Sequence, residues 1–582
     1  MGQPEDYDEK ETANSVRHES LAAPVEEDCI APEAIGTDNL PDGYFTSWKF
    51  IGTILGVSLM NISLYVSYVM PVNFLSIINA DIGPDPKYVL IPITKTLGRG
   101  VGVLLVGRLG DIFGRRWFLI GGQTLGVIGA AIGATAQSIN VLIGSTAFIG
   151  IAGAVQLTFF VVVQVLVPNK HRGLWVGIQF ILSFPFACFG PIMARSLVLH
   201  TAIGWRWCYY LDYGLLRKGQ PLSRELRRLD YIGLTLYCGG LIVLLLGITW
   251  GGSVHLWTSG KVIGNLVGGF VSIVLFGIYE TFLPFKNVHP LIPVKVFRSK
   301  DFLALCGTGS VATMTYYSMN LLWPTMVTAL FTTDIILVGW YSCVLGGGVA
   351  LGQIFASVTM RLFGRPLKVH WQIRLAAIGM AAFVASMASV TASRLNLALV
   401  LMSLASFSVG YVELISLVLV PFTAPPGDIG LASGFQSTVR GNMGTIATAI
   451  YSTVLANRNA VNIPKEVASA VIRAGLAAKD VPSAVAAAEL GTPSAFAKIP
   501  DLIPTIRAAI VEATKVAKAQ SFRYMFLITI SFSVPAVLGS FFVGNMDGHL
   551  NNEVARKLQG IGDRKKDRRK CRFCSISTLS RL

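Results

Sequence analysis

The chain has 582 residues, of which 53% are hydrophobic and only 14% charged, with a mean hydropathy of +0.59. A soluble chain of this length divides into domains with charged surfaces, and this composition excludes that class. The formal net charge of +16 would suit nucleic acid. Its Lys and Arg residues, however, lie in short connections between apolar runs, where they read as membrane-topology signals.

Residues 1–46 are rich in Glu, Asp, Ala and Pro and lack periodicity, which predicts a disordered leader and no cleavable signal peptide. Apolar runs of spanning length, roughly 20 residues each, then cover Trp48–Met70, Tyr88–Val106, Trp117–Ala136, Val141–Val167 and Gly173–Ala194. After a gap come Tyr231–Trp250 and Val262–Phe282. A last group covers Phe302–Leu330, Ile335–Leu362, Trp371–Val390, Leu395–Val420, Leu431–Leu455 and Tyr524–Val543. Between its final two members lies the Ala-rich stretch Ala456–Gln520, with Pro464, Pro482, Pro493, Pro500 and Pro504. Its spacing predicts short amphipathic helices on the membrane surface. The eight Cys are scattered without disulfide or zinc spacing. Cys571 and Cys574 form a C-x-x-C with no βαβ context, which reads as chance, with palmitoylation as the alternative.

The most informative residues are Gly107–Arg116, GRLGDIFGRR, between the second and third runs. A Gly-rich, Arg-rich tight connection belongs on the cytoplasmic side, where positive charge is retained. Gly107 and Gly114 let two helices approach closely, and Asp111 can accept from amides at a helix start or pair with an Arg. The segment resembles the loop between the second and third helices of the major facilitator superfamily, G-x-L-x-D-x-x-G-R-[RK]. Gly107, Leu109, Asp111, Gly114, Arg115 and Arg116 all fall in its register. The resemblance implies an all-α polytopic fold of two six-helix bundles, transport without enzymatic chemistry, and a latch role for this loop.

With that loop inside, charge should alternate along the chain. Lys170 and Arg172, then Lys286, Lys295, Arg298 and Lys300, then Arg361, Arg365 and Lys368, all fall inside. So does the basic tail around Arg564–Lys570, whereas the turns Gln137–Asn140 and Thr332–Asp334 carry no Lys or Arg and fall outside. The fifth run should therefore end outside near Arg195, yet Arg217, Lys218, Arg224, Arg227 and Arg228 read as inside. The only segment available to cross between them, residues 197–216, holds His200, Arg206 and Asp212. Each central charge costs roughly 2.5–3.5 kcal/mol on insertion scales, so the sixth helix reads as shortened or missing. A marginal charged helix, a re-entrant segment and a defective chain all stay open.

Further segments narrow the resemblance: GWRWCYY (Gly204–Tyr210), LDYIG (Leu229–Gly233), HPLIPVKVF (His289–Phe297) and the run Gly427–Arg458. Together they resemble the fungal fourteen-span drug:proton antiporters, most of all the trichothecene efflux pump family, from about residue 45 to 550. That implies two extra central helices between the bundles. It also implies a proton-driven exporter of a hydrophobic toxin, drug or secondary metabolite, with siderophore transport as the alternative. Two departures matter. Thr146 stands where related antiporters carry a fourth-span Arg, while Gly150 and Ala154 of that pattern remain. Proton coupling through that position is thereby excluded. Gly190 and Pro191 keep the fifth-span kink motif, but Arg195 stands where Gly is usual. With the deficient sixth helix, these departures also leave open a non-transporting or defective chain.

Ionisable and polar residues inside spans are the default transport candidates, because burying them is costly. Glu413 lies mid-span and can cycle a proton or serve as a permanently paired structural acid. Arg440, in a neighbouring span, can pair with Glu413, hold an anionic substrate group, or tie helices together. Lys95 and Arg99, one turn apart, can line the cavity or lock the bundles. Asn61, Ser63, Gln156 and Gln164 offer polar contacts, and Tyr316, Tyr317 and Trp323 offer stacking or ordinary packing, with Pro324 as a kink. No nucleophile–base set, metal cluster or nucleotide loop is visible, so the expectation is a non-enzyme with no cofactor, driven by a proton gradient.

The organisation expected is a cytoplasmic leader at 1–46, an N-terminal bundle at 47–216 and a basic loop with two linker spans at 217–300. A C-terminal bundle at 301–545, with an extracytoplasmic loop at 456–520, and a basic tail at 546–582 complete it. The expected partners are the lipid bilayer, a small hydrophobic substrate and protons, with no nucleic acid. A monomer in the plasma membrane, or a vacuolar or vesicular one, with both termini cytoplasmic, is the expectation.

Overall fold

A computed structural model describes residues 44–546 except 74, 83–84, 114, 202–203, 207–208, 210–230, 252–256, 283–298, 363–367, 425–428, 476–479 and 491–502. The expectations for most of the leader, the basic tail, the basic loop at 217–230 and the latter part of the sixth span lie outside these residues. The first bundle contains α1 (Trp48–Val72), the short α2 (Leu75–Ile82), α3 (Leu90–Phe113), α4 (Arg115–Ala134), α5 (Ile139–Gln156), α6 (Phe159–Leu166) and α7 (Arg172–His200). A hairpin of α8 (Tyr231–Trp250) and α9 (Gly260–Phe282) follows. The second bundle contains α10 (Lys300–Leu330), α11 (Ile335–Leu362), α12 (Val369–Ser386), α13 (Leu395–Leu419), α14 (Ile429–Arg473), α15 (Val481–Leu490) and α16 (Pro504–Phe541).

Several helices begin where a hydroxyl precedes an apolar run. Ser47, Ser138 and Ser299 accept from the amides of Phe50, Val141 and Phe302, satisfying a donor at each helix start. Eight described helical spans are long and apolar enough on their own to cross a membrane. The runs that fall short include α3, α10 and α14, which carry Lys95 and Arg99, Thr313 and Asn320, and Gln436, Arg440 and Asn442 on buried surface. Their polarity faces inward, whereas Val267, Phe270, Val271 and Leu275 of α9 are exposed, as a lipid-facing helix requires.

Within the first bundle, α1 packs on α7, and α5 packs on both α3 and α4. In the second, α10 and α16 pack on α14, α12 packs on α13 and α16, and α11 on α13. The bundles meet along two seams, α7 with α11 and α3 with α14. This is the two-bundle arrangement the resemblance implies. At the first seam a side chain on Gly346 would sit 1.9 Å from the Ala187 carbonyl oxygen, so backbone touches backbone. At the second, a side chain on Gly100 would meet the Asn442 amide oxygen at 2.3 Å. The hairpin lies across this seam, where Tyr237, Leu241 and Leu245 of α8 share an apolar cluster with Leu97 and Val101 of α3 and Leu431 of α14.

Two expectations are corrected, and a third, the shortened or missing sixth helix, agrees with the described residues. The second span does not end at Val106: α3 runs to Phe113 and α4 begins at Arg115, so the loop narrows to the neighbourhood of Gly114. The side chains of Gly107, Leu109, Asp111, Gly114, Arg115 and Arg116 lie outside the described set.

The stretch Ala456–Gln520 does not lie as short surface helices. Instead, α14 and α16, of 45 and 38 residues, run on beyond the roughly 20 residues that a bilayer needs. They form a small three-helix cap with α15. The cap's core repeats at helical spacing, with Ile463, Val467 and Val471 against Ala484, Ala487, Ala488, Ile506 and Ile510.

Finally, the first part of residues 197–216 is no span. Leu197–His200 complete α7, and Trp205 and Arg206 bind the Asp81 carboxylate at 2.8 and 3.4 Å.

Candidate functional site

The cavity between the bundles is lined by α1, α3, the break after α5, α6, α7, α10, α11, α13 and α14. Two apolar clusters shared between the bundles adjoin it. One joins Tyr68, Val69 and Val72 of α1 to α10. The other joins Phe159, Phe160 and Val163 of α6 to Leu414 and Val418 of α13. About 70 Å³ is left for water-sized molecules, well below the roughly 300–1,000 Å³ of a pocket for a drug-sized ligand. The cavity must therefore widen to admit a substrate of that size.

The wall supplied by the second bundle is built around a paired acid and base. An Arg440 Nη2–Glu413 Oε1 ion pair forms its centre, with the side chains only 9% and 13% exposed. Arg440 Nε donates to Thr313 Oγ1 at 2.8 Å, and Gln353 Nε2 donates to Glu413 Oε2 at 3.0 Å. Both carboxylate oxygens and two guanidinium nitrogens thus have partners, which is what a buried ion pair needs to persist.

The wall supplied by the first bundle is different. Arg99 is buried, and its guanidinium carbon lies 4.5 Å from the ring centre of Tyr317 in the opposite bundle. One turn earlier, Lys95 Nζ lies 5.6 Å from the Tyr68 ring centre. Tyr68 and Tyr317 meet edge-to-face at 5.1 Å, joining α1 to α10 across the cavity. Asn61 donates to the Gln179 carbonyl and to Ser183 Oγ, both at 3.1 Å, tying α1 to α7.

Asn61, Arg99, Tyr316, Tyr317, Glu413 and Arg440 thus come together on one cavity. Three other candidates face elsewhere. Gln156 donates to Ser63 Oγ at 3.2 Å inside the first bundle. Gln164 donates to the Leu417 carbonyl at 3.1 Å, a tie between bundles beside the cavity. Trp323 is packed in the second bundle with its indole N–H on the Tyr341 carbonyl at 2.9 Å.

Gly190 and Pro191 sit within an unbroken α7, Gly190 facing Val69 of α1. The unexpected Arg195 has a local use, donating to the Asn73 carbonyl at the end of α1 at 2.8 Å. Thr146 is buried and donates to the Ile143 carbonyl at 2.8 Å.

Sequence reasoning passed over Tyr65, Tyr68, Thr313 and Gln353, all on the cavity wall. A signal existed for three of them. Tyr65 and Tyr68 follow Asn61 at i+4 and i+7, one helix face. Gln353 is a polar residue in an otherwise apolar span. Thr313 carries no such mark. A further signal is the break between α5 and α6 at Leu157–Thr158, which puts Leu157, Phe159 and Phe160 on the cavity. Irregular backbone at membrane depth is tolerated where it is buried in protein.

Against known proteins, the chain matches the fungal trichothecene efflux pump (TRI12) family over residues 21–216 and again over 215–572. It is 26% identical to the trichothecene efflux pump TRI12 of Trichoderma arundinaceum, over 93% of this chain and 94% of that protein. Identity to the trichothecene efflux pump TRI12 of Fusarium sporotrichioides is 25%, with the same shares covered. The MFS-type transporter prx5 of Penicillium rubens is 27% identical over 73% of this chain and 80% of that protein. Among solved structures, a bacterial homologue of the human lysosomal transporter Spinster aligns over 86% of this chain and 97% of its own. Its identity is 13% and its TM-score 0.48.

Proposed function

The chain belongs to the fungal trichothecene efflux pump family of the major facilitator superfamily, and from that premise we propose that it exports a small hydrophobic toxin or secondary metabolite by proton-coupled alternating access. The export reading is supported by the family and by two relatives named for trichothecene efflux. The proton-coupling reading is carried by a single observation, the buried Glu413–Arg440 pair on the cavity wall.

The mechanism follows from what burial does to charge. While Arg440 holds Glu413, the pair is neutral and the closed form is stable. When the bundles open outward, the substrate leaves and the pair parts, the carboxylate stands alone in an apolar bundle, where a lone charge is expensive. Taking a proton from outside removes that charge, and re-forming the pair once the cavity faces inward expels the proton to the cytoplasm, so substrate and proton cross in opposite directions. No cofactor is required, and protons, lipid and substrate are the partners. The membrane assigned is the plasma membrane, with both termini cytoplasmic.

The test is retention of a labelled trichothecene in a yeast host stripped of its own exporters. Cells expressing the chain should retain less than cells with an empty vector, and a protonophore should abolish the difference. Equal retention in both strains contradicts the reading.

One observation favours a second reading, a transport-deficient chain. The family match divides at residues 215–216, beside the stretch where charge alternation demands a sixth crossing. The described residues hold five membrane-length helical spans before His200, two in the hairpin and six from Lys300 onward. An odd count would leave leader and tail on opposite sides. Sequencing the transcript across codons 205–230 separates the readings: a retained exon would restore a span of transmembrane length.

A further inference from the structure

Three charged side chains line the cavity: Arg99, Glu413 and Arg440. Glu413 and Arg440 neutralise each other, so the cavity keeps one guanidinium in excess. Arg99 is 4% exposed and forms no ion pair among the described residues, and its Nε has no hydrogen-bond partner. Its neighbour is the face of Tyr317, a compensation weaker than a carboxylate. The adjacent wall leaves further buried polar atoms unmatched: Asn61 Oδ1, Gln353 Oε1 and Ser437 Oγ. Tyr65, Tyr68, Tyr316, Phe159, Phe160 and Phe180 add an aromatic surface to the lining. A buried cation without a counter-ion is costly, and such a group in a membrane protein calls for a partner from somewhere.

We propose that the partner is the substrate: the cavity takes aromatic or otherwise hydrophobic ligands that turn an acceptor oxygen to Arg99 of α3, and it prefers a carboxylate or equivalent anionic group over a neutral one. A planar fork suits a carboxylate bidentately, and the aromatic wall suits an apolar body. Arg99 is the specificity residue in this scheme, whereas Arg440 is occupied by Glu413 until the proton step. The inference rests on the reading of this cavity as the substrate site.

The test is equilibrium binding of two radiolabelled probes that differ only in charge, 1-naphthylacetate and the neutral 1-naphthylacetamide, to the purified full chain in lipid nanodiscs at pH 7.5. The wild type should bind the carboxylate more tightly by roughly tenfold or more, the scale of one charge-assisted contact. Arg99→Gln should lose that preference while still binding the amide, and Arg99→Lys should keep part of it. Glu413→Gln, which frees Arg440, should raise the preference. A merely structural Arg99 would change overall binding without moving the ratio. Equal or tighter amide binding by the wild type, or an unchanged ratio in folded Arg99→Gln, overturns the inference while leaving the cavity reading intact. Saturable binding of neither probe by monodisperse wild type overturns both.

Discussion

The two walls of the cavity handle the same problem, a buried arginine, in different ways. On the second bundle Arg440 is held by Glu413 and Thr313, and Glu413 in turn by Gln353. On the first bundle Arg99 has an aromatic face and an unmatched Nε. In the first, each charge meets its opposite within the protein and changes only if something displaces a partner, which suits a switch. The second is incomplete, which suits a binding group. The tightest glycines of the seams differ likewise: at Gly346 of α11 the neighbour is the Ala187 carbonyl of α7, whereas at Gly100 of α3 it is the Asn442 side chain of α14.

The largest effect should come from breaking the rigid seam. At Gly346 a new side chain meets a main-chain carbonyl, so Gly346→Val should abolish recovery of monodisperse protein. At Gly100 the obstacle is the movable Asn442 amide, so Gly100→Ala should fold, with a modestly lower Tm. Size-exclusion profiles and thermal scans compare them directly. Equal damage at both sites would erase the distinction between the seams.

Next in size are the two arginines. Arg440→Leu strands a buried carboxylate and should cost roughly 3–5 kcal/mol, with most of that recovered when Glu413→Gln is added. Arg99→Leu forfeits chiefly a cation–π contact and should cost no more than about 2 kcal/mol. Denaturation of the single and double variants gives the coupling. A larger loss at Arg99 than at Arg440 would reverse the assignment of roles.

The smallest effect concerns the α3–α14 seam, where Thr445 Oγ1 donates to Thr96 Oγ1 at 3.0 Å. Thr96→Val and Thr445→Val should each cost about 0.5–1.5 kcal/mol, and the double variant little more than either alone. Strict additivity would show that the two hydroxyls act independently.

Much of this could be read along the chain, because a membrane demands what a sequence displays. Long apolar runs, a basic tight turn and isolated ionisable residues follow from the cost of exposing charge or backbone to lipid. Glu413 and Arg440 stood out for that reason, and the structure puts them in contact. What escaped is what depends on rotation about a helix axis. Gln156 and Gln164 share their polarity with Asn61, but their faces point at Ser63 and at the Leu417 carbonyl, so only Asn61 reaches the cavity. Tyr65 and Tyr68 share the Asn61 face of α1, but that this face lines a cavity shows only once α1 is set against α10. The cap was misread because Pro464 and an Ala-rich composition resemble helix breaks. Yet α14 continues through Pro464, its apolar face covered by α15 and α16.

The central claim is that the Glu413–Arg440 pair couples transport to protons. It is tested most directly in proteoliposomes loaded acid inside, following uptake of a labelled trichothecene into the lumen. The wild type should accumulate the label above its external concentration. Glu413→Gln should lose that accumulation yet still exchange labelled for unlabelled toxin. Gradient-driven accumulation by Glu413→Gln at the wild-type level would contradict the account.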